Sequence, residues 1–330
     1  MGQIVSFILQ KGGCGKTTTT VNTSGYLAMQ GFKVLCVDMD PQGNLTQHFG
    51  YDAESLPMTI LELFRKTTSF NQVVLERDNT LHVLPNNLKT EAAQSELQKL
   101  ASPEYLLRDI LSPFVNQYDY ILIDCPPTLG FFSIVALVAS TEFVLVVSPE
   151  FLPMKAIKPL YETFRKVKLK LNHTLQFNGL VMTMCDFRTR HSQEILTILQ
   201  QNFPQKLYKA YIRNNVSLKE ASSFGQTIFE HKPQSMGAFD YQNFVEEFMR
   251  DHHKVIEKRR YYQNKYESLN QREKEQVMMY AKRKLSNFII DSMEKFPDKI
   301  VVQEALLIER NKVIEELFPY RKAIVAEQNL

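Results

Sequence analysis

The sequence predicts an α/β protein, a doubly wound, mostly parallel sheet with a helical C-terminal extension, and two observations support this fold class. First, short apolar runs alternate with segments of helix length. Runs that are apolar without alternation suit strands buried on both faces of a parallel sheet. Second, a glycine-rich loop follows the first run and leads into a helix-compatible stretch, the strand–loop–helix order that such a loop requires. The apolar runs are residues 4–9, 34–37, 81–84, 120–123, 143–147 and 180–184.

The glycine-rich loop is the most informative motif. Its glycines allow backbone N–H groups to point at phosphate oxygens, and the start of the following helix adds its positive dipole end. Lys16 is expected to contact the β- and γ-phosphates, and the Thr17 hydroxyl is expected to ligate Mg²⁺. Gln10 stands where the standard loop has a glycine, and Lys11 adds a second lysine. The residues predicted to bind the nucleotide are Gly12, Gly13, Cys14, Gly15, Lys16, Thr17 and Thr18.

Lys11 makes the loop the deviant form of the phosphate-binding loop, and about residues 1–250 resemble the ParA/Soj family of partition ATPases. The resemblance implies ATP and Mg²⁺ as cofactors and slow, partner-stimulated hydrolysis of ATP to ADP and phosphate. Four further segments carry it in the family's order: Val-Leu-Cys-Val-Asp-Met-Asp-Pro-Gln-Gly-Asn-Leu-Thr at 34–46, Tyr-Ile-Leu-Ile-Asp-Cys-Pro-Pro at 120–127, Cys-Asp-Phe-Arg-Thr-Arg at 185–190 and Asn-Val-Ser-Leu-Lys-Glu-Ala-Ser-Ser-Phe-Gly at 215–225.

Three aspartates follow two of the apolar runs, where the carboxyl ends of parallel strands meet. Asp38 and Asp124 are predicted to hold the waters of Mg²⁺, a hard cation that dehydrates reluctantly. The resemblance assigns to Asp40 the orientation of the attacking water. The structural alternative for Asp38 and Asp40 is a pair of turn residues that cap the following segment.

Lys11 has no obvious use within one subunit, because a second lysine beside the phosphates adds repulsion. In the family, the corresponding lysine reaches across a face-to-face dimer to the partner's nucleotide. The resemblance therefore predicts an ATP-dependent homodimer with Lys11, Lys16 and Asp40 as its catalytic residues. The alternative is a solvated loop lysine. Segments 40–46 and 124–130 are the expected switches.

The resemblance also implies nonspecific double-stranded DNA and a ParB-like centromere-binding protein as partners. Arg188 stands at one family arginine position, but Ser217 replaces the other. Arg190, Arg213 and Lys219 are candidates to compensate, because backbone phosphate contacts tolerate small shifts. The alternative for each of these residues is an ordinary solvated charge. The DNA-binding candidates are therefore Arg188, Arg190, Arg213 and Lys219.

Composition favours a cytoplasmic protein, and the resemblance implies that it associates with the nucleoid in its ATP state. Charged residues make up 23% of the 330 residues, and the formal net charge is +3. The four cysteines are widely separated and predicted to be reduced thiols. The first strand begins almost at Met1, and no apolar run approaches transmembrane length, so neither a secretion signal nor a membrane partner is expected.

The amino-acid composition of the chain changes near residue 250, and this change predicts an ATPase domain at 1–250 and an extension at 251–330. No glycine occurs from 238 to 330, and two apolar stripes lie on either side of Pro297. These patterns predict a helical hairpin packed on the core. The stripes are Val277, Ala281, Leu285, Phe288 and Ile289, then Val302, Ala305, Leu306, Val313 and Leu317.

Two functions of a different class remain open. A positioning ATPase of the MinD/McdA kind would use the same switch for a membrane or protein cargo, and failure to bind DNA with ATP would favour it. A metabolic P-loop enzyme of the dethiobiotin synthetase type would turn over a small acceptor. The complete switch segment 40–44 argues against that enzyme. The nitrogenase iron protein shares the loop, but its cluster cysteines have no assignable pair here.

Overall fold

A computed structural model of the chain describes residues 2–149, 154–282 and 299–317. The strands of this part form one sheet in the order β3-β4-β2-β5-β1-β6-β7-β8, and every neighbouring pair except β3–β4 is parallel. Each of the six predicted apolar runs forms a strand, which confirms the predicted fold class. The strands are β1 (Gln3–Ile8), β2 (Val34–Asp38), β3 (Leu75–Glu76), β4 (Leu81–Leu84), β5 (Tyr120–Asp124), β6 (Glu142–Val147), β7 (Gln176–Cys185) and β8 (Leu207–Arg213).

Helices cover the sheet and connect its parallel strands. They are α1 (Lys16–Met29), α2 (Asn44–His48), α3 (Ile60–Phe64), α4 (Phe70–Val73), α5 (Leu88–Ala92), α6 (Gln94–Leu97), α7 (Leu106–Leu111), α8 (Phe131–Ala139), α9 (Met154–Lys170), α10 (Arg190–Asn202), α11 (Val216–Ser223), α12 (Ile228–His231) and α13 (Met236–Glu267), with a 3-10 turn at Pro103–Tyr105. Residues 271–282 are also helical, and α14 spans Lys299–Leu317. Within the described ranges, no helix combines the length and apolar character that a membrane crossing requires.

The central strands β1, β2 and β5 are buried almost throughout, as their uniformly apolar sequences require. The register pairs Val34 with Tyr120 at one end and Asp38 with Asp124 at the other. Two carboxylates from distant parts of the chain therefore lie side by side at the carboxyl edge of the sheet. Ligands of doubly wound folds bind at this edge.

The chain divides into two compact units, residues 2–249 and residues 250–330, and α13 runs through the boundary. In the second unit, the buried cluster comprises Leu269, Val277, Ala281, Val313 and Ile314. The predicted hairpin turn at Pro297 and the stripe residues Leu285, Phe288 and Ile289 lie outside the described residues. Packing of the extension on the core stays a prediction.

Candidate nucleotide-binding site

The glycine loop joins β1 to α1 and adopts the backbone conformation that its glycines permit. Gly13 and Gly15 have φ angles of 72° and 87°, in the left-handed region that favours glycine. The Thr183 hydroxyl, at the end of β7, donates a hydrogen bond of 2.7 Å to the Cys14 carbonyl oxygen. The loop is thus fixed to the sheet from a strand that the loop motif does not include. Cys14 is buried, and burial raises the pKa of its thiol, as expected for a packing residue.

Lys16, the first residue of α1, carries its charge inside the loop. The side chain is 6% exposed, and its Nζ donates a hydrogen bond of 2.7 Å to the Lys11 carbonyl oxygen. A buried ammonium needs hydrogen-bond acceptors. The Lys11 carbonyl oxygen accepts the hydrogen bond that a phosphate oxygen is expected to accept from Lys16 when a nucleotide binds.

Thr17 and Asp124 form the second polar contact of the site. The Thr17 hydroxyl donates to Asp124 Oδ2 at 2.6 Å, while the buried Asp124 Oδ1 has no hydrogen-bond partner among the described residues. Burial raises the pKa of Asp124 to about 7, against the effects of the Thr17 hydrogen bond and the Lys16 charge. A hydroxyl beside a carboxylate with a spare oxygen fits Mg²⁺, which uses few protein ligands and keeps several waters.

Asp38 holds the segment that follows β2. Its Oδ2 accepts hydrogen bonds from the Thr46 backbone N–H at 2.9 Å and from the Thr46 hydroxyl at 2.8 Å. Its Oδ1 accepts from the Asp40 N–H at 3.2 Å. Burial, and then the neighbouring Asp124 charge, raise the pKa of Asp38 well above its usual range. Asp38 therefore anchors both ends of segment 40–46, and its role towards Mg²⁺ stays a prediction.

Asp40 lines the same cavity as the loop. This cavity has a volume of about 580 Å³, and Lys16, Thr17 and Gln42 also line it. Asp40 is 7% exposed, and its Oδ1 accepts a hydrogen bond of 3.1 Å from the Gln42 N–H. Burial raises the pKa of Asp40 from its usual value. The three residue types needed for phosphate contact, metal ligation and water orientation thus face one space.

A second, smaller cavity of about 150 Å³ adjoins the first and was not expected from the sequence. Gly15, Thr18, Met184 and Ser222 line both cavities. Met184 has a φ of 54°, which is strained for a side chain of this size. No local sequence signal predicts such a conformation, because it depends on the packing of β7 against the loop.

A close backbone contact connects the end of α2 to the turn after α11. Gly50 and Gly225 have φ angles of 85° and 68°, and a Cβ on Gly225 would lie 2.8 Å from the Gly50 Cα atom. His48, two residues before Gly50, is buried and lines the larger cavity. The end of α2, the helix that begins within the segment anchored by Asp38, is therefore in direct contact with the turn that follows α11.

Replacing Gly225 with alanine is expected to lower the free energy of unfolding by about 2 kcal/mol or more, because the left-handed φ is strained for alanine and its Cβ would overlap the Gly50 backbone. Gly31 provides the matched control, since its φ is 77° and a Cβ there meets nothing within 4 Å. Urea unfolding of the two alanine variants measures the difference. Equal losses would show that the Gly50–Gly225 contact contributes nothing.

His48 is expected to make the fold less stable in mild acid. Burial lowers the pKa of His48 to about 4 from a usual 6.5, and the Gln226 backbone opposes this shift. Below pH 6.5 the unfolded chain binds a proton that the folded chain does not, so stability falls until about pH 4, by up to about 3 kcal/mol. The raised pKa values of Asp38 and Asp124 contribute the opposite slope.

The difference between the wild type and His48→Gln isolates the histidine contribution, because the aspartates are common to both. Urea unfolding at intervals between pH 7 and pH 4 measures it. The wild type should lose more stability than the variant over this range. Parallel curves would contradict the assignment of a neutral, buried His48.

The four DNA-binding candidates lie around the carboxyl ends of β7 and β8, where Cys185 pairs with Arg213. Arg188 is 90% exposed and forms a bidentate ion pair with Asp186, with hydrogen bonds of 2.8 and 2.7 Å. Arg213 pairs with the buried Asp240 through Nε at 2.9 Å and through Nη2. Arg190 and Lys219 are exposed. The four candidates thus follow the carboxyl ends of two neighbouring strands, and Arg213 is paired with an internal carboxylate. Their binding to DNA stays a prediction.

The parallel sheet, the loop and the cavity define a P-loop nucleotide-binding protein. Known proteins of one family are similar to this chain over most of its length. A family model described as an AAA domain matches residues 2–177. Soj from Bacillus subtilis, a sporulation initiation inhibitor protein, is 36% identical over 248 residues, which cover 75% of this chain and 98% of that protein. The chromosome-partitioning ATPase Soj from Thermus thermophilus is 37% identical over 240 residues, or 73% and 92% of the two chains.

The chain belongs to the ParA/Soj family of ATPases. Among solved structures, cobyrinic acid a,c-diamide synthase from Mycobacterium smegmatis with ADP and magnesium is similar, with a TM-score of 0.66 and 28% identity over 74% of this chain and 93% of that one. The predicted family and ATPase activity are confirmed. The predicted cofactors, ATP and Mg²⁺, match the class of ligands bound in that structure.

Proposed function

We propose that the chain is a partition ATPase that binds nonspecific DNA as an ATP-bound dimer and leaves it after hydrolysis. The observation that carries this proposal is the single cavity lined by Lys16, Thr17 and Asp40, beside a segment that Asp38 anchors. Such a segment can report the state of the nucleotide, because γ-phosphate contacts order switch loops and hydrolysis releases them.

Each of these residues of the cavity has a separate role in phosphoryl transfer. Lys16 exchanges its contact with the Lys11 carbonyl oxygen for oxygens of the β- and γ-phosphates. Thr17 and Asp124 would hold Mg²⁺, and the ion would supply positive charge against the charge that develops on the phosphate oxygens. Asp40 accepts a hydrogen bond from the attacking water and fixes its direction.

Lys11 acts in the partner's site. Lys16 already brings one ammonium to the phosphates from within the loop, and a second from the same subunit would add repulsion. In a face-to-face dimer, each Lys11 instead stabilises the nucleotide of the partner. ATP then favours the dimer, and hydrolysis weakens it.

The DNA-binding surface comprises Arg188, Arg190 and Lys219, which are exposed around one end of the sheet. Arg188 must exchange Asp186 for a DNA phosphate, so its net contribution is small. Arg213 is assigned to positioning, because removing it would leave Asp240 buried without its counter-ion. Contacts to DNA phosphates do not depend on the base sequence, so they suit binding along the nucleoid. A ParB-like partner on the cargo stimulates hydrolysis.

Sedimentation velocity with Mg²⁺ and either ATP or ADP tests the dimer. The Asp40→Ala chain should sediment as a dimer with ATP and as a monomer with ADP. The double variant Lys11→Ala/Asp40→Ala should stay monomeric in both, while still binding ATP. A dimer that persists without Lys11, or a monomer in every state, would overturn the proposed switch. Turnover of a small acceptor would instead indicate a metabolic enzyme.

A further inference from the structure

A deep apolar groove lies at the amino ends of β6, β7 and β8, the opposite edge of the sheet from the nucleotide cavity. Its volume is about 680 Å³. The floor consists of phenylalanines. The Phe143 ring stacks on Phe164, with centroids 3.9 Å apart, and on Phe177, at 5.1 Å, while Phe203 meets Phe177 edge-on at 6.2 Å. Nothing in the proposed ATPase cycle uses this groove.

Both walls of the groove carry positive charge. Arg165 and Lys168 lie on α9, and Lys206 lies on the facing turn between α10 and β8. All three are exposed, and none has an acidic partner within the described ranges. No acidic side chain of the described part lines the groove. An occupant must therefore combine apolar groups with more than one negative charge.

The exposed apolar residues of α9 are part of the lining of this groove. Tyr161 and Leu169 are 66% and 60% exposed and stand eight residues apart, on the same face as Arg165 and Lys168. This face is about 12 Å long, roughly two helical turns. An acyl chain has one anionic head group, which would pair with the cations of only one wall.

We propose that an acidic amphipathic segment of a partner protein binds in this groove as a helix. Its apolar side chains lie on the phenylalanine floor, and its carboxylates contact the cations of both walls. This is the helix-in-groove mode of recognition, with charges that set orientation and exclude basic segments. Because the groove is remote from the nucleotide cavity, the partner can stay bound while the nucleotide changes.

A displayed library of random peptides of about 15 residues tests this proposal, with the full chain and ATP as target. Selected peptides should contain several Asp or Glu residues between apolar ones. A synthetic copy should bind the wild type in a fluorescence anisotropy titration. The Lys168→Glu/Lys206→Glu variant should bind at least about tenfold more weakly, because two attractions become repulsions. Lys166→Glu is the matched control, since Lys166 is exposed on α9 but does not line the groove.

Three results would overturn the proposal. The selection could enrich no peptide, or only basic ones. The double variant could bind the peptide as tightly as the Lys166→Glu control. Oleate, used as a probe, could bind one per chain and lose that binding in the double variant while no peptide is selected, which would assign the groove to an acyl anion. Unchanged thermal unfolding midpoints of the variants confirm that each result reports on the groove.

Discussion

Replacing Lys16 with alanine is expected to lower the rate of ATP hydrolysis at least about a hundredfold, the usual effect of removing one donor from a developing phosphate charge. The ammonium is buried in the loop and has its Nζ 2.7 Å from the Lys11 carbonyl oxygen. No other lysine of the same loop is as deeply buried. Phosphate release under saturating ATP and Mg²⁺ measures the effect.

The fold should survive this substitution, because it removes only two hydrogen bonds, from Nζ to the Lys11 carbonyl oxygen and to the Cys14 sulfur. A hydrogen bond stabilises the folded chain by about 1 kcal/mol. Lys99→Ala, at an exposed position outside the nucleotide cavity, is the matched control and should keep wild-type turnover. Comparable turnover in the two variants would show that Lys16 does not serve the phosphates. Circular dichroism accompanies the assay, so that a loss of turnover through unfolding is distinguished from a loss of chemistry.

Replacing Asp40 with alanine is expected to lower ATP turnover about a hundredfold or more, while ATP affinity stays the same or rises. The carboxylate lines the cavity, accepts hydrogen bonds from the Gln42 N–H and the Asn44 side chain, and interacts with the charge of Lys16. Its removal takes a negative charge away from the phosphates and leaves the water without a fixed acceptor. Turnover and equilibrium nucleotide binding are measured on the same preparation.

The Asp40→Asn variant removes the charge of the side chain but keeps its shape, so it distinguishes the effects of the two. Its amide oxygen can still accept the Gln42 hydrogen bond. This variant should retain the local fold and lose turnover as well. If ATP affinity falls as much as turnover in either variant, Asp40 would be a binding residue rather than one that orients water.

The strands that the sequence predicted are mostly buried on both faces, and such strands have a continuous apolar run. The two edge strands were missed for a physical reason. β8 reads Leu-Tyr-Lys-Ala-Tyr-Ile-Arg, and most of its residues are partly or fully exposed, so it lacks a continuous apolar run. β3 has two residues and pairs antiparallel with β4. Neither carries a periodic signal long enough to recognise.

The nucleotide site was predictable where its residues are contiguous, as in the loop and the segment after β2. Contacts between distant segments were not. The Thr183 hydrogen bond to Cys14 spans 169 positions, and the Gly50–Gly225 contact joins two turns that no motif relates. Similarly, the ion pair between Arg213 and Asp240 is visible only in the folded chain. In the sequence, Arg213 is one more positive charge that could contact DNA.

DNA binding by the Asp40→Ala chain, measured with ATP and then with ADP across a salt series, tests the proposed function most directly. The switch predicts tight binding with ATP alone, and an affinity that falls steeply as salt displaces the phosphate contacts. Arg190→Ala and Lys219→Ala should each reduce the affinity and the salt slope. Equal binding with ATP and ADP would leave basic charge without a switch. No binding in either state would contradict the partition function and favour a membrane or protein platform.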